Sequence, residues 1–408
     1  MADIAFDRST RGTLGPALTL TLVALGHAVI HAQSALMPLV YPIVIDEFSL
    51  NPADIGLFIG VTTAVGGSMQ LLYGFLTRYV ARPALLAGGQ IIFGLSLLAA
   101  SLSQSVGQLL ASISGARLGA SPQHPVGNAL LSDTFPAHRR GFAISAHISG
   151  GNVGTILVPF VGAALLTQVG WQATLAIFGI PALLVGSAIA LKIREDGRAY
   201  RAEARRSGSV RQQLGEVLGR TDLRLILLAA VVAAGGRGLD LVAPFMVLYL
   251  RGPLGIDESV TTWLYALLLV GAIVGPLLAG WLSDRLGRKR TLVAYYLISA
   301  TGIGAFLLAG ANLWLLVPLM LPFGTAVFSE SPVLQAFLAD RAAGPTRDVA
   351  FSVYFTVAFG IGAFWAFVIG SVVNTWGYPV AFGMMASSYV AAAVLLIAVR
   401  ERPAPRQA

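Results

Sequence analysis

At 408 residues, with 56% hydrophobic and only 11% charged side chains and a mean hydropathy of +0.76, the chain has too little charge to cover a water-soluble surface. The net charge of +8 admits a nucleic-acid reading only until the basic residues are placed along the chain, and the absence of cysteine excludes disulfides and thiolate metal sites.

Apolar runs of about 20 residues recur along the whole length, each long enough to cross roughly 30 Å of hydrocarbon as a helix. Backbone groups in lipid must be satisfied internally, and continuous runs fit helices where alternating segments of about 10 residues would fit a barrel. The spacing predicts an all-α membrane protein with twelve spans, at 16–45, 53–77, 83–103, 107–132, 141–167, 172–192, 223–249, 260–283, 290–310, 313–338, 349–373 and 378–399.

Span one lacks an A-x-A-like cleavage site and continues through Tyr41-Pro42 into a polar turn, so it reads as a mature helix rather than a signal peptide. It carries His27 and His31, four residues apart on one face, with Gln33 nearby. The three are candidates to bind substrate or, for the imidazoles, to exchange protons. Hydrogen-bonded packing is the alternative, and the lack of nearby acids or thiols argues against a metal. Span four holds Arg117, a permanent cation suited to an anionic group, and His124 roughly two turns later. Span five adds His147 and Asn152, which read first as packing or gating groups; Asn152 is kept as a substrate-binding candidate.

Lys192 to Arg224 is the long polar stretch between spans six and seven. It predicts a cytoplasmic linker at 193–222 between two bundles, 1–192 and 223–408, with a short surface helix over Leu214-Gly-Glu-Val-Leu218. Span seven carries Arg237 and Asp240, i,i+3 and able to pair on one face. A static pair and proton exchange at Asp240 both remain open. Glu330, within Phe328-Ser-Glu-Ser-Pro332 of span ten, has no basic neighbour in sequence. Ionisable residues deep in a span are costly and face a cavity or a partner, which makes Asp240 and Glu330 the proton-coupling candidates. The substrate-binding candidates are His27, His31, Gln33, Arg117, His124, Asn152 and Arg237. Glycine within the spans lets helices approach closely, and proline bends them.

Of the 27 basic residues, 24 fall at the termini or in loops on one side of this arrangement; Arg251 lies on the other side, and Arg117 and Arg237 lie within spans. Such asymmetry predicts a multi-pass protein of the cytoplasmic membrane with both termini cytoplasmic, its charge directed at anionic headgroups of membrane lipids and not at nucleic acid. Trp171, Trp263, Trp281, Trp314 and Trp376 sit near predicted helix ends, as an aromatic belt requires.

The two halves repeat one another. Arg140 to His147 and Arg347 to Tyr354 share R-x-x-A-x-S-x-(His/Tyr), and His124 to Asp133 matches Ser331 to Asp340 at Pro, Val, Ala, Leu and Asp in the same register. Membrane halves related by an internal repeat enclose a site between them and rock around it. Between spans eight and nine stands Gly280-Trp-Leu-Ser-Asp284-Arg285-Leu-Gly287-Arg288-Lys289-Arg290. Its glycine permits close packing of two helices, and Asp284 is placed to pair with a basic neighbour. The corresponding loop after span two keeps Gly74, Arg78 and Arg82 but has Thr77 and Arg78 where an acid is expected; Asp133 with Arg140, and Asp340 with Arg347, supply further charges around each loop.

This loop closely resembles the G-x-L-x-D-R-x-G-R-[RK] signature of the major facilitator superfamily, in which it latches one conformational state. The first half is similar to the fosmidomycin-resistance group of drug exporters at Gly26-His27, Tyr41-Pro42, Glu47-Phe-Ser-Leu50, Ile55-Gly56, Gly119-Ala-Ser-Pro-Gln-His124-Pro125, and Gly150-Gly-Asn152-Val-Gly154 with Pro159. The last run resembles a Gly/Pro-rich motif of antiporters. His31 and Val126 depart from the acids that such exporters carry at the matching positions. The resemblance implies two six-helix bundles around a central cavity lined by spans one, four, five, seven and ten, and alternating access to it. It implies a monomeric secondary transporter without cofactor, driven by a proton gradient. Proton-coupled efflux of a small molecule is the expected function, with proton-coupled uptake of a metabolite such as an organic acid or sugar as the alternative. No H-E-x-x-H, G-x-S-x-G or G-x-x-x-x-G-K-[ST] pattern points to an enzyme or a hydrolytic motor.

Overall fold

The computed structural model of the protein describes residues 15–399 apart from 78, 136, 196–209, 342–349 and 352. Every regular element among the described residues is helical. The first three passes are α1 (Pro16–Phe48), α2 (Pro52–Leu76) and α3 (Arg82–Ser101). The fourth is split into α4 (Val106–Ala120) and α5 (Pro125–Thr134), a break the sequence reading did not place. The fifth and sixth follow as α6 (Ala137–Leu157), a π-helical turn at Val158–Gly162, and α7 (Ala163–Lys192). As one rod, the apolar stretch Ala146–Lys192 would reach roughly 70 Å, more than twice the hydrocarbon thickness. Gly170, at φ 78° and ψ 172°, interrupts it and divides it into two passes.

The expected surface helix appears as α8 (Val210–Gly219). The seventh pass comprises α9 (Thr221–Ala233), a 3₁₀ turn at Ala234–Gly236, a π-helical turn at Gly238–Val242 and α10 (Ala243–Arg251). α11 (Glu258–Leu286) and α12 (Arg288–Ala309) are continuous, and the tenth pass is α13 (Leu313–Val327) followed by α14 (Glu330–Arg341). The eleventh, Val353–Trp376, takes a π-helical turn at Thr356–Ile361 before α15 (Phe364–Trp376), and the twelfth is α16 (Tyr378–Ile397).

Local chemistry sets the ends. Asn51 caps α2 by accepting from the amides of Ala53 and Asp54 at 2.8 and 3.2 Å, while Asp54 accepts from the Asn51 amide at 2.9 Å. Asp257 and Asn312 cap α11 and α13 by accepting from the amides of Ser259 and Trp314. Leu308 and Trp314, about nine-tenths exposed, belong to an outward apolar shell suited to lipid. Trp263, Trp281 and Trp376 also face outward, as a belt requires. Trp171 does not: it is buried, and its indole N–H donates to Glu47 at 2.6 Å.

Two groups of six passes result. In the first, α3 packs on α7 and α1 on α6; in the second, α11 packs on α13 and α12 on α16. Gly150 and Gly154 of α6 lie against Ala24 and Ala28 of α1, where a Cβ at Gly154 would collide with the Ala28 carbonyl. The groups meet where Gly56 of α2 crosses Gly370 of α15, so closely that a Cβ on Gly370 would meet the Gly56 Cα at 2.7 Å. Tyr265 of α11 donates to the Ala35 carbonyl of α1 at 2.8 Å, and Phe160 meets the edge of Trp263 at 5.6 Å between ring centres. By chain order, Gly56, Tyr265 and Gly370 lie near the ends of their passes that adjoin the turns at 49–51, 252–257 and 377, opposite to the ends that lead into α8. Gly280, expected to admit a neighbouring helix, instead faces open space, with nothing within 4 Å of a Cβ placed there.

Candidate functional site

A cavity of about 260 Å³ lies between the two groups. The five passes expected to line it do so, and the second, eighth and eleventh join them through residues such as Thr63, Gln70, Ala272, Phe355 and Phe359. The wall brings together His27, His31, Arg117, His124 and Asn152 from the first half with Arg237, Asp240 and Glu330 from the second. Gln33 is buried and is not among the residues that line this cavity.

On the first-half side, α1 and the break between α4 and α5 gather imidazoles. The His27 ring lies 4.4 Å from that of His31, 4.8 Å from that of His124 and 4.5 Å from that of His147. His27 Nδ1–H donates to the His147 carbonyl at 2.9 Å, which leaves Nε2 as the lone-pair nitrogen; that atom is buried without a hydrogen-bond partner. His147 is itself held from two sides, Nδ1–H donating to Asn128 at 3.0 Å and Nε2 accepting from Gln123 at 3.1 Å. These bonds fix the orientation of the His147 ring. Arg117 reaches Ser34 at 3.3 Å through one terminal nitrogen, while its Nε is buried without a hydrogen-bond partner. A guanidinium so weakly satisfied has donors to spare for an anion.

On the second-half side, Arg237 sits at the break in the seventh pass, with ψ 128°. The pairing with Asp240 expected from a regular helix face therefore forms across an interrupted one, at 3.7 Å between Nη1 and Oδ2. Residues 237–240 at the break line the cavity, the setting in which irregular backbone at membrane depth is tolerated. Glu330, expected to be without a cation, faces Arg237 at 3.9 Å. The partner comes from another pass, which sequence adjacency does not reveal. Arg237 also donates to the Ala358 carbonyl at 3.0 Å and lies over the Phe359 ring at 4.0 Å, so its position is fixed by more than the carboxylates.

Several wall residues escaped the sequence reading. Phe355 stacks on His124 at 5.5 Å with ring planes 16° apart, and Phe359 lies one turn further on. Both belong to the stretch just after the repeated Arg347–Tyr354 motif, which was the available signal. Gln123 occupies the position that Glu330 holds in the second half at the same repeat offset, so the two halves place an amide and an acid at equivalent sites. Ser331, matched to His124, binds Tyr354 at 3.1 Å and accepts from Gln335 at 3.0 Å.

The loop signature forms a charge cluster away from the cavity. Arg288 pairs with Asp284 at 2.6 Å and with Asp340 of α14 at 3.2 Å, so Asp340 serves this loop. Gly287 adopts φ 92°, which admits the sharp passage into α12, and Lys289 donates to the carbonyls of Ile397 and Val399, both at 2.8 Å. Arg285 lies over Trp281 at 3.9 Å. In the first half, the Gly74 carbonyl accepts from Thr77 at 2.7 Å, and the Arg82 amide donates to Glu195 at 3.1 Å. Arg78 and Arg347 lie outside the described residues, as do the side chains of Asp133 and Arg140.

Comparison with known proteins agrees with this fold. A family model for the Major Facilitator Superfamily matches residues 23–236 and again 225–408. The 4-hydroxybenzoate transporter PcaK of Pseudomonas aeruginosa is 25% identical over 81% of this chain and 77% of its own length. The fosmidomycin resistance protein of Escherichia coli is 24% identical over 90% of this chain and 87% of its own. Among solved structures, a D-xylose-proton symporter superposes with a TM-score of 0.79 at 17% identity, covering 94% of this chain and 98% of that one.

Proposed function

The chain belongs to the major facilitator superfamily and is a membrane transporter rather than an enzyme, and on that premise we propose that it carries a small organic anion across the cytoplasmic membrane together with a proton. The observation that carries this reading is the pairing of one cation, Arg237, with two carboxylates in a cavity that also holds Arg117. With Arg117, Arg237, Asp240 and Glu330 all ionised, the formal charges cancel. An anion entering that balanced set adds an uncompensated charge, whereas one that enters with a proton on Glu330 or Asp240 does not. Protonation also frees Arg237 from one partner, so the two cargoes favour each other's binding. Phe355 and Phe359 in the wall beside these cations suit an aromatic group that carries a carboxylate. That chemistry is shared by the substrate named for PcaK.

Alternating access follows from the packing. The contacts between α2 and α15 and between α1 and α11 hold the halves together on the face away from α8, and the excess of basic residues in the loops on α8's side supports a cytoplasmic position for it. The arrangement then corresponds to a state closed toward the outside, from which the two halves rock about the cavity.

A second reading, export by proton antiport, is supported by the glycine run of α6 packed on α1 and by the likeness to the fosmidomycin resistance protein. The two readings predict opposite signs in one experiment. In oriented proteoliposomes loaded with an aromatic carboxylate such as 4-hydroxybenzoate, an inward proton gradient drives accumulation under symport and depletion under antiport. Movement of the anion that ignores the gradient in both directions would defeat proton coupling altogether.

A further inference from the structure

The imidazole cluster is more than anion transport requires. His27, His31 and His124 each offer one ring nitrogen, and these three atoms all lie within 4.8 Å of one another. We propose that the three histidines form a site for a single transition-metal dication of the zinc class, open on its fourth side to the cavity. The inference goes beyond the reading above and stands whether or not an anion is carried.

Three observations converge on it. His27 Nε2 is a buried lone pair with no hydrogen-bond partner, an arrangement that costs free energy unless something occupies it. The opposite nitrogen of the same ring donates to the His147 carbonyl at 2.9 Å, the outer contact that holds metal-ligating imidazoles in tautomer and orientation. The His147 ring is fixed in turn by Asn128 and Gln123, so the support is two layers deep. A tetrahedral ion with nitrogen ligands at about 2.0–2.1 Å sets them roughly 3.4 Å apart, so the present spacing closes by small rotations of His31 and His124. Both of these rings are only partly buried and reach the cavity.

The donor set selects the ion. Three neutral imidazoles without a carboxylate or thiolate suit zinc, nickel or copper and offer little to magnesium or calcium, which require oxygen ligands. Arg117 is close enough to His31 to act on it electrostatically, and its charge opposes a dication. The site therefore binds less tightly than an isolated tri-histidine cage, and an anion in the cavity, by offsetting Arg117 or taking the open coordination position, strengthens it.

The test is direct binding to the purified protein in detergent, prepared with a tag that contains no histidine. Equilibrium dialysis against Zn²⁺ is expected to give one ion per chain, and Co²⁺ the intense visible absorption of a four-coordinate site. His31→Gln and His124→Gln, each at a cavity-facing position and each checked for monodispersity, are expected to weaken binding by at least about tenfold. Arg117→Gln is expected to tighten it. Binding equal to wild type in the His31→Gln/His124→Gln double variant would overturn the proposal, as would a larger loss from Asp240→Asn with Glu330→Gln, which would place the ion at the carboxylates. Because the readout is binding and not transport, failure of the anion reading leaves this result unchanged.

Discussion

Arg237 and Glu330, from the seventh and tenth passes, face each other with Nε and Oε1 3.9 Å apart. That separation exceeds a hydrogen bond, and Asp240 competes for the same guanidinium at 3.7 Å. A cation shared between two acids at such distances is held loosely enough for one acid to leave when it takes a proton. Glu330→Gln fixes the neutral state permanently. The expected outcome is loss of gradient-driven accumulation by at least about tenfold, with exchange of substrate across the membrane retained, since loading no longer depends on the proton. Counterflow and gradient-driven uptake measured on the same vesicles check it; undiminished accumulation would remove Glu330 from the coupling step.

Removing the cation has a different signature. Arg237→Gln leaves buried Glu330 and part-buried Asp240 without their shared cation, and breaking a buried pair at one partner costs about 3–5 kcal/mol, reduced here by exposure to the cavity. The variant is expected to lose thermal stability, and Arg237→Gln combined with Glu330→Gln to regain most of it without regaining coupling. Unfolding midpoints in detergent distinguish the two; a double variant no more stable than the single would show that the Phe359 and Ala358 contacts, not the charges, set the loss.

Much of this architecture was legible from the chain because lipid imposes one rule, that a span be apolar and helical, and that rule is written in hydropathy alone. The passes, the surface helix over Leu214–Leu218 and the charged cluster of Asp284 and Arg288 follow from it and from the loop signature. Rotation of a helix about its axis is not written there. Hydropathy does not reveal whether a polar residue in span one turns toward the cavity, as His31 does, or into the packing, as Gln33 does. The partner of Glu330 and the outward face of Gly280 were missed for the same reason: both depend on which neighbouring pass stands opposite. The break after Ala120 escaped because Pro122 and Pro125 are compatible with either a bend or a full interruption.

Arg117 makes one hydrogen bond, to Ser34 at 3.3 Å, and keeps a buried Nε unpartnered. A substrate carboxylate would fill that gap with charge-assisted bonds. Arg117→Gln is expected to raise the apparent KM about 10- to 100-fold, equivalent to roughly 1.4–3 kcal/mol, with a smaller change in maximal rate. Arg117→Lys, which keeps the charge but loses the fork, is expected to fall between. Initial rates over a substrate range resolve this; an unchanged KM would move the anion site to Arg237.

The crossing of Gly56 with Gly370 closes the face away from α8. Gly370→Ala places a methyl 2.7 Å from the Gly56 Cα and the Pro52 carbonyl, both backbone and unable to yield cheaply. Overpacking of this kind costs about 1–3 kcal/mol, enough to shift a two-state population by roughly 5- to 150-fold. The variant is expected to favour the state open on that face, seen as faster thiol labelling of single cysteines introduced near Ala363 and slower labelling near Gln335. Labelling rates equal to the parent would mean that the crossing separates in both states.

The loop cluster offers a separation of rate from affinity. Asp284 is well exposed, so its pair with Arg288 contributes at most about 1 kcal/mol to stability. Its importance is geometric: Arg288 also reaches Asp340, tying the loop between α11 and α12 to the end of α14 at the same time. All three residues belong to one half, so the link contributes to the barrier only if it breaks as the halves rock, and it lies away from the binding site. Asp284→Asn is expected to lower the maximal transport rate several-fold while leaving KM and the unfolding temperature near those of wild type. Arg288→Ala, which severs both pairs, is expected to act in the same direction and more strongly. A change in KM larger than the change in rate would contradict a gating role and place the loop's charges in communication with the cavity.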